Sequence, residues 1–125
     1  MPPALRGRII GVVTERRRTD DVLLREITEL IATAPSGERA RFLARIEHTL
    51  TAGYARALEL EAERLRLERR ITSVAAELAA DEHERRTAEL ASLARRASVA
   101  GADLSELRTL LASLRDRASE LRAVA

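Results

Sequence analysis

The chain is expected to be all-α, an elongated helical bundle or coiled coil of three helices forming a single domain over residues 1–125. Three observations carry that expectation. Ala, Arg, Leu and Glu supply 79 of the 125 residues, and they rank among the strongest helix formers. A share above half, set at helical spacing, marks long helices. Apolar residues recur three and four positions apart over most of the length, which is the spacing of a coiled-coil seam. Only two segments carry clear stop signals, Ala34-Pro35-Ser36-Gly37 and Ala100-Gly101-Ala102-Asp103.

These signals divide the chain into helices at about 4–33, 37–99 and 104–123. Pro35 disfavours helix at the residue before it, and Ser36 can cap the next helix. Gly101 can adopt the left-handed conformation that closes a helix, and Asp103 with Glu106 has capping-box spacing. In the first helix, Leu23, Leu24, Ile27, Leu30 and Ile31 form an amphipathic face. Upstream, Ile9-Ile10-Gly11-Val12-Val13 is strand-like in composition, but there is no second strand to pair with it. One long helix from residue 4 is therefore expected, with Gly11 or the following arginines the place for any bend; the alternative is a helix that begins only at a cap on Thr19 or Asp20. The short Pro35 turn would lay it antiparallel to residues 38–66.

The middle helix carries a heptad seam: Leu43, Ile46, Leu50, Gly53, Ala57, Leu60, Arg64, Leu67, Ile71, Val74 and Leu78. Gly53 there costs roughly 1 kcal/mol in helix propensity, consistent with close approach of a neighbouring helix. A weaker stripe of Tyr54, Leu58, Leu65, Thr72, Ala75 and Ala79 runs beside the seam. After Leu78 the phase slips, because Ala79 and Leu90 are eleven residues apart where seven or ten would continue the repeat. The third helix alternates without fault through Leu104, Leu107, Leu111, Leu114, Ala118 and Leu121. Leu90, Leu93, Ala97 and Ala100 repeat that spacing upstream of Gly101. Two matched seams about a short connection predict an antiparallel hairpin at Gly101, with Leu93 near Leu111, Leu90 near Leu114, and the C-terminus folded back to about residue 80.

Composition excludes several function classes. With no Cys there is no disulfide framework, thiolate nucleophile or zinc knuckle. The longest apolar run, Ile9 to Val13, is far short of a membrane span or a signal-peptide core, so the chain is expected to be cytoplasmic. Arg in place of every Lys, with abundant Ala, matches the codon bias of a GC-rich bacterium. The isoelectric point near 10.2 does not signify a basic surface. Residues 1–35 carry six Arg against five acids, 36–80 eight against seven, and 81–125 eight against eight. Nucleic-acid binders concentrate positive charge on one face, and only Arg16-Arg17-Arg18 does so here. That run is the candidate anion contact, since Arg forks bind phosphate oxygens in pairs. Glu15, Asp20 and Asp21 flank it, and no stacking aromatic interleaves it.

Other polar features read as ordinary surface. Glu26 and Glu29 have the spacing of half a helical carboxylate metal site, but Glu-x-x-His partners are missing: Arg45 stands three before His48 and Ala80 three before His83. The run Asp81-Glu82-His83-Glu84-Arg85-Arg86 reads as a solvated stretch, or as a hinge capped by Asp81. Arg64 on the seam can pack its stem and reach Glu61 or Glu68 with its head. No set of polar groups converges as an active site would require, so no catalytic residue, cofactor or metal is expected.

The expected function is a non-enzymatic protein–protein interaction module for coiled-coil dimerisation, scaffolding or adaptor work. Its expected partners are a second copy of itself and another protein, through an interface at Leu58, Leu65, Leu67 and Ile71. The alternative is a nucleic-acid-associated or regulatory accessory protein acting through Arg16, Arg17 and Arg18. Membrane-surface binding is disfavoured because the first helix has mixed charge.

Overall fold

The computed structural model describes residues 3–35, 37–80 and 84–124, with the side chains of 3–16, 79 and 80 outside that description. Three helices make up the fold: α1 (Pro3–Ala32), α2 (Arg39–Ala80) and α3 (Glu84–Ala123). No strand occurs among the described residues. The protein is an all-α helical bundle with extensive α2–α3 packing.

The first helix is continuous over 30 residues, so the strand-like Ile9–Val13 segment is helical. Its end is set by Pro35, after a last turn in which Thr33 N–H donates to the Glu29 carbonyl at 2.8 Å. Gly37 takes φ +73°, a left-handed backbone that costs glycine little. The Glu38 carbonyl then accepts from the N–H groups of Arg41 and Phe42, both at 3.1 Å, which opens α2. Glu38 thus stands at the helix start, two residues later than expected. The predicted cap, Ser36, lies outside the described residues.

The second boundary corrects the expectation. α2 ends at Ala80 and α3 runs unbroken from Glu84 to Ala123, straight through Gly101. There is no hairpin at Gly101, no separate helix over 104–123, and no middle helix reaching residue 99. Phase explains why. Leu90, Leu93, Ala97, Ala100, Leu104, Leu107, Leu111, Leu114, Ala118 and Leu121 form one uninterrupted three–four alternation. A turn at Gly101 would have to restart that count, whereas a continuous helix keeps every apolar residue on one side. Eight of the ten are buried outright, Leu93, Ala100, Leu104, Leu107, Leu111, Leu114, Ala118 and Leu121. The true boundary coincides with the phase slip after Leu78. The proposed Asp81 hinge falls at that place, but residues 81–83 lie outside the described residues.

Contacts divide the chain into two compact units, Ala52–Thr109 and Met1–Thr51 with Leu110–Ala125. The first is an antiparallel pair made from α2 and α3. Its core joins Leu67 and Val74 to Leu93 and Ala100, with Ile71, Leu90 and Ala97 packed against them. Ion pairs follow the same antiparallel order: Arg86 with Glu77, Arg70 with Glu89 at 2.7 Å, and Arg108 with Glu61 at 3.3 Å. All keep a third or more of each side chain exposed, so each is worth about 1 kcal/mol or less, and the apolar seam carries the pairing. Leu93 therefore packs with α2 and not with Leu111, and Leu90 does not meet Leu114. The α2 seam otherwise follows the spacing: Gly53, Ala57, Leu60, Leu67 and Val74 are buried and Ile71 and Leu78 half-buried. Helix α2 continues through Gly53 without a break.

Arg64 is the one charged member of that seam. Its Nε donates to Glu68 Oε1 at 3.0 Å, and its guanidinium lies opposite Gly101. A Cβ built on Gly101 would stand 3.9 Å from Arg64 Cζ and Nε, an ordinary van der Waals distance.

The other unit draws on all three helices. Ile27 and Leu30 of α1, Phe42, Ile46, Thr49 and Leu50 of α2, and Leu111, Leu114, Ala118 and Leu121 of α3 are buried there. At the start of α2 the buried position is Phe42, while Leu43 is half-buried. Buried Thr49 keeps its hydroxyl satisfied by donating to Glu26 Oε1 at 3.2 Å. The end of α1 has no basic residue in its last turn, so its orphan carbonyls must find donors elsewhere. Arg117 supplies them from α3: Nε donates to the Leu30 carbonyl at 3.1 Å and an Nη to the Thr33 carbonyl at 2.7 Å. Its guanidinium also lies 5.9 Å from the centroid of the Phe42 ring, within cation–π range.

Two outcomes test this architecture. Gly101→Ala should stabilise the protein by about 1 kcal/mol, because alanine suits a helix interior better than glycine. A glycine in a left-handed turn would give the opposite sign, so a falling urea midpoint would contradict the continuous α3. Arg117→Met should lower stability by about 1–2 kcal/mol through the loss of two charge-assisted hydrogen bonds at a partly exposed site. Arg117→Lys should recover little of it, since a single ammonium lacks the fork that spans both carbonyls. Denaturation curves in which the Lys variant matches the wild type would refute the bidentate role.

Candidate functional site

The predicted interface residues fall into two groups. Leu67 is buried in the α2–α3 core, and half-buried Ile71 packs against that core. Leu58 and Leu65 are instead exposed, at 68% and 46%. The split has a geometric cause. Leu67 and Ile71 belong to the heptad seam that faces α3, whereas Leu58 and Leu65 stand on another side of the same helix.

Two further residues, Ala55 and Ala62, are exposed on the same side of α2 as Leu58 and Leu65. They precede each leucine by three positions and extend the exposed apolar strip. The stripe read from sequence combines the leucine positions with those of Tyr54 and Ala75, whereas Ala55 and Ala62 stand one residue further on. Tyr54, 44% exposed, flanks its N-terminal end. An exposed strip of large apolar residues at seven-residue spacing is the kind of surface that ordinarily marks an interface. Val22, Val99 and Val124 are also exposed, but each stands alone and forms no strip.

The arginine run is arranged less favourably. Arg17 and Arg18 are exposed on α1, while the side chain of Arg16 lies outside the described residues. Consecutive helical residues point about 100° apart, so Arg17 and Arg18 diverge and do not line one face. Asp21, four residues after Arg17, is exposed beside them, and Thr19 and Asp20 have interactions of their own.

The remaining candidates are dispersed. Glu26 is half-buried and accepts from Thr49, whereas Glu29 is exposed. His48 is exposed, and His83 lies outside the described residues. No group of three or more His, Cys, Asp or Glu is placed to hold a metal among the described residues. No helix, among the described residues, is long and apolar enough to cross a membrane. No protein-family model matches the chain, and none of the curated proteins or solved structures compared with it matches.

Arg117 was not singled out by spacing, although it sits beside the seam between Leu114 and Ala118. The usable signal was negative: α1 ends at Ala32 with no cation of its own to complement its dipole. Its role is to join α1 to α3, and it belongs to the architecture.

Proposed function

We propose that this chain is a non-enzymatic protein–protein interaction module that self-associates through the exposed strip of α2. The observation that supports it is the exposure of Leu58 and Leu65 on a helix whose other seam is already filled. Burial of leucine side chains contributes roughly 1.5–3 kcal/mol each, so a repeating strip of them can drive association without a ligand pocket. Charge distribution agrees: both signs are interspersed in every third of the chain, which suits a protein surface better than a polyanion. A cytoplasmic, bacterial setting belongs to the same reading, since a chain without Cys is at no disadvantage in a reducing compartment.

Gel filtration coupled to light scattering at micromolar concentration should return about twice the 13.8 kDa chain mass. Leu58→Glu or Leu65→Glu should weaken association by about 100-fold or more, because burying an unpaired carboxylate costs several kcal/mol. Replacing Arg16, Arg17 and Arg18 with Gln should leave the dimer intact. A chain that remains monomeric at high concentration would remove the proposal. Retention on immobilised DNA that depends on the arginines and falls steeply with salt would move the function to α1.

A further inference from the structure

We infer that the occupant of the exposed α2 strip is a second copy of this chain, paired in parallel and in register about a two-fold axis. The inference rests on the self-association proposed above and adds its direction and register. Ala55, Leu58, Ala62, Leu65, Arg69 and Thr72 alternate three and four residues apart, and every one is exposed. At 3.5 residues per turn this strip is centred about 150° from the seam occupied by α3. Helix α2 thus carries a second heptad seam, with leucines at one core position and alanines at the other. The first seam is filled within the chain by Leu93, Ala97 and Ala100, and the second is not.

Flanking charges select the orientation. On one side of the strip lie Tyr54, Glu61 and Glu68, and on the other Glu59, Arg66 and Ser73. Parallel pairing brings each residue of the first flank against the residue five positions further along the second flank of the other copy. Glu61 then meets Arg66 of the second copy, twice by symmetry, while Tyr54 meets Glu59 and Glu68 meets Ser73. No like charges oppose one another across these flanks. Antiparallel pairing sets each flank against itself: Arg66 would meet Glu59 on one flank, but Glu61 would meet Glu68, or the other Glu61, on the other, so attraction is offset by repulsion where the parallel pair has attraction alone.

The structure leaves these groups accessible. Arg66 is exposed and has no ion-pair partner among the described residues. Glu61 meets Arg108 at 3.3 Å with both side chains about half exposed, so its second oxygen can take another cation. Arg69 is the one charged residue in the strip. A slip by one heptad would set Arg69 against Ala62 of the second copy, bring one Glu61 against Glu59 and keep only one of the two Glu–Arg contacts, so the flanking charges favour the in-register pairing. In register its stem packs alongside its counterpart and its head reaches Glu68 of the second copy.

Single-cysteine variants of the full chain test this directly, since the described residues hold no native thiol. Leu58→Cys and Thr72→Cys are fourteen residues apart, about 21 Å along the helix. Under mild oxidation each variant alone should give a disulfide-linked dimer, and adding Leu65→Glu should abolish both links. Two positions so far apart cannot both self-link in an antiparallel pair. Linking only in a mixture of the two variants would overturn the parallel geometry while leaving self-association standing. A dimer by light scattering in which neither position links would place the interface elsewhere and also overturn it. A monomer would remove this inference together with the proposal beneath it. Independently, Arg66→Glu should weaken the dimer about tenfold at low salt, and Glu61→Arg in the same chain should restore it. Failure of that rescue would count against the register.

Discussion

Everything in this structure depends on the unbroken heptad phase of α3. Ten apolar positions from Leu90 to Leu121 keep one side of a 40-residue helix turned toward its neighbours. Each buried leucine contributes on the order of 2 kcal/mol, whereas a helix cap at Gly101 would contribute about 1 kcal/mol. Breaking the helix there would gain a cap and misplace several leucines. The larger sum prevails, and the glycine is carried inside the helix at a cost near 1 kcal/mol.

Arg117 illustrates how a helical protein poor in aromatics secures its ends. Only Phe42 and Tyr54 are aromatic, and Phe42 is the one that is buried. The guanidinium lies near its ring while donating to two carbonyls at the end of α1. One side chain therefore satisfies a helix terminus, complements the dipole and covers the largest apolar group nearby. Thr49 does similar work on a smaller scale, bringing a donor to Glu26 without opening the core.

Much of this was legible in the sequence, and the misreading has a definite origin. Helix content, the Pro35 turn, the α2 seam and the α3 spacing all follow from period and composition. Gly101 with Asp103 and Glu106 imitates a stop signal, but local capping chemistry is outweighed by the heptad phase that runs through it. The slip after Leu78 was visible as well, but no glycine or proline marked it. Of the interface residues, Leu58 and Leu65 stand where an outside partner can reach them. Leu67 and Ile71 pack toward residues 90–100 of α3, and that neighbour is identifiable only once the turn is placed after Ala80. Ala55 and Ala62 stand one residue past the heptad position of Tyr54 and Ala75, so the second core position of the strip becomes evident only when exposure along α2 is known.

The route of the chain through its two units has a consequence for loop closure. Arg117 reaches the Leu30 and Thr33 carbonyls across 87 and 84 positions of sequence. Most of that interval, residues 52–109, is a contiguous unit with its own core. Once those 58 residues pair as a hairpin, the flexible length left to close between Thr33 and Arg117 falls from 84 to about 26 residues. The entropic cost of closure drops by about 1 kcal/mol, so order in the local hairpin lowers the cost of the long-range contact that ties α1 to α3.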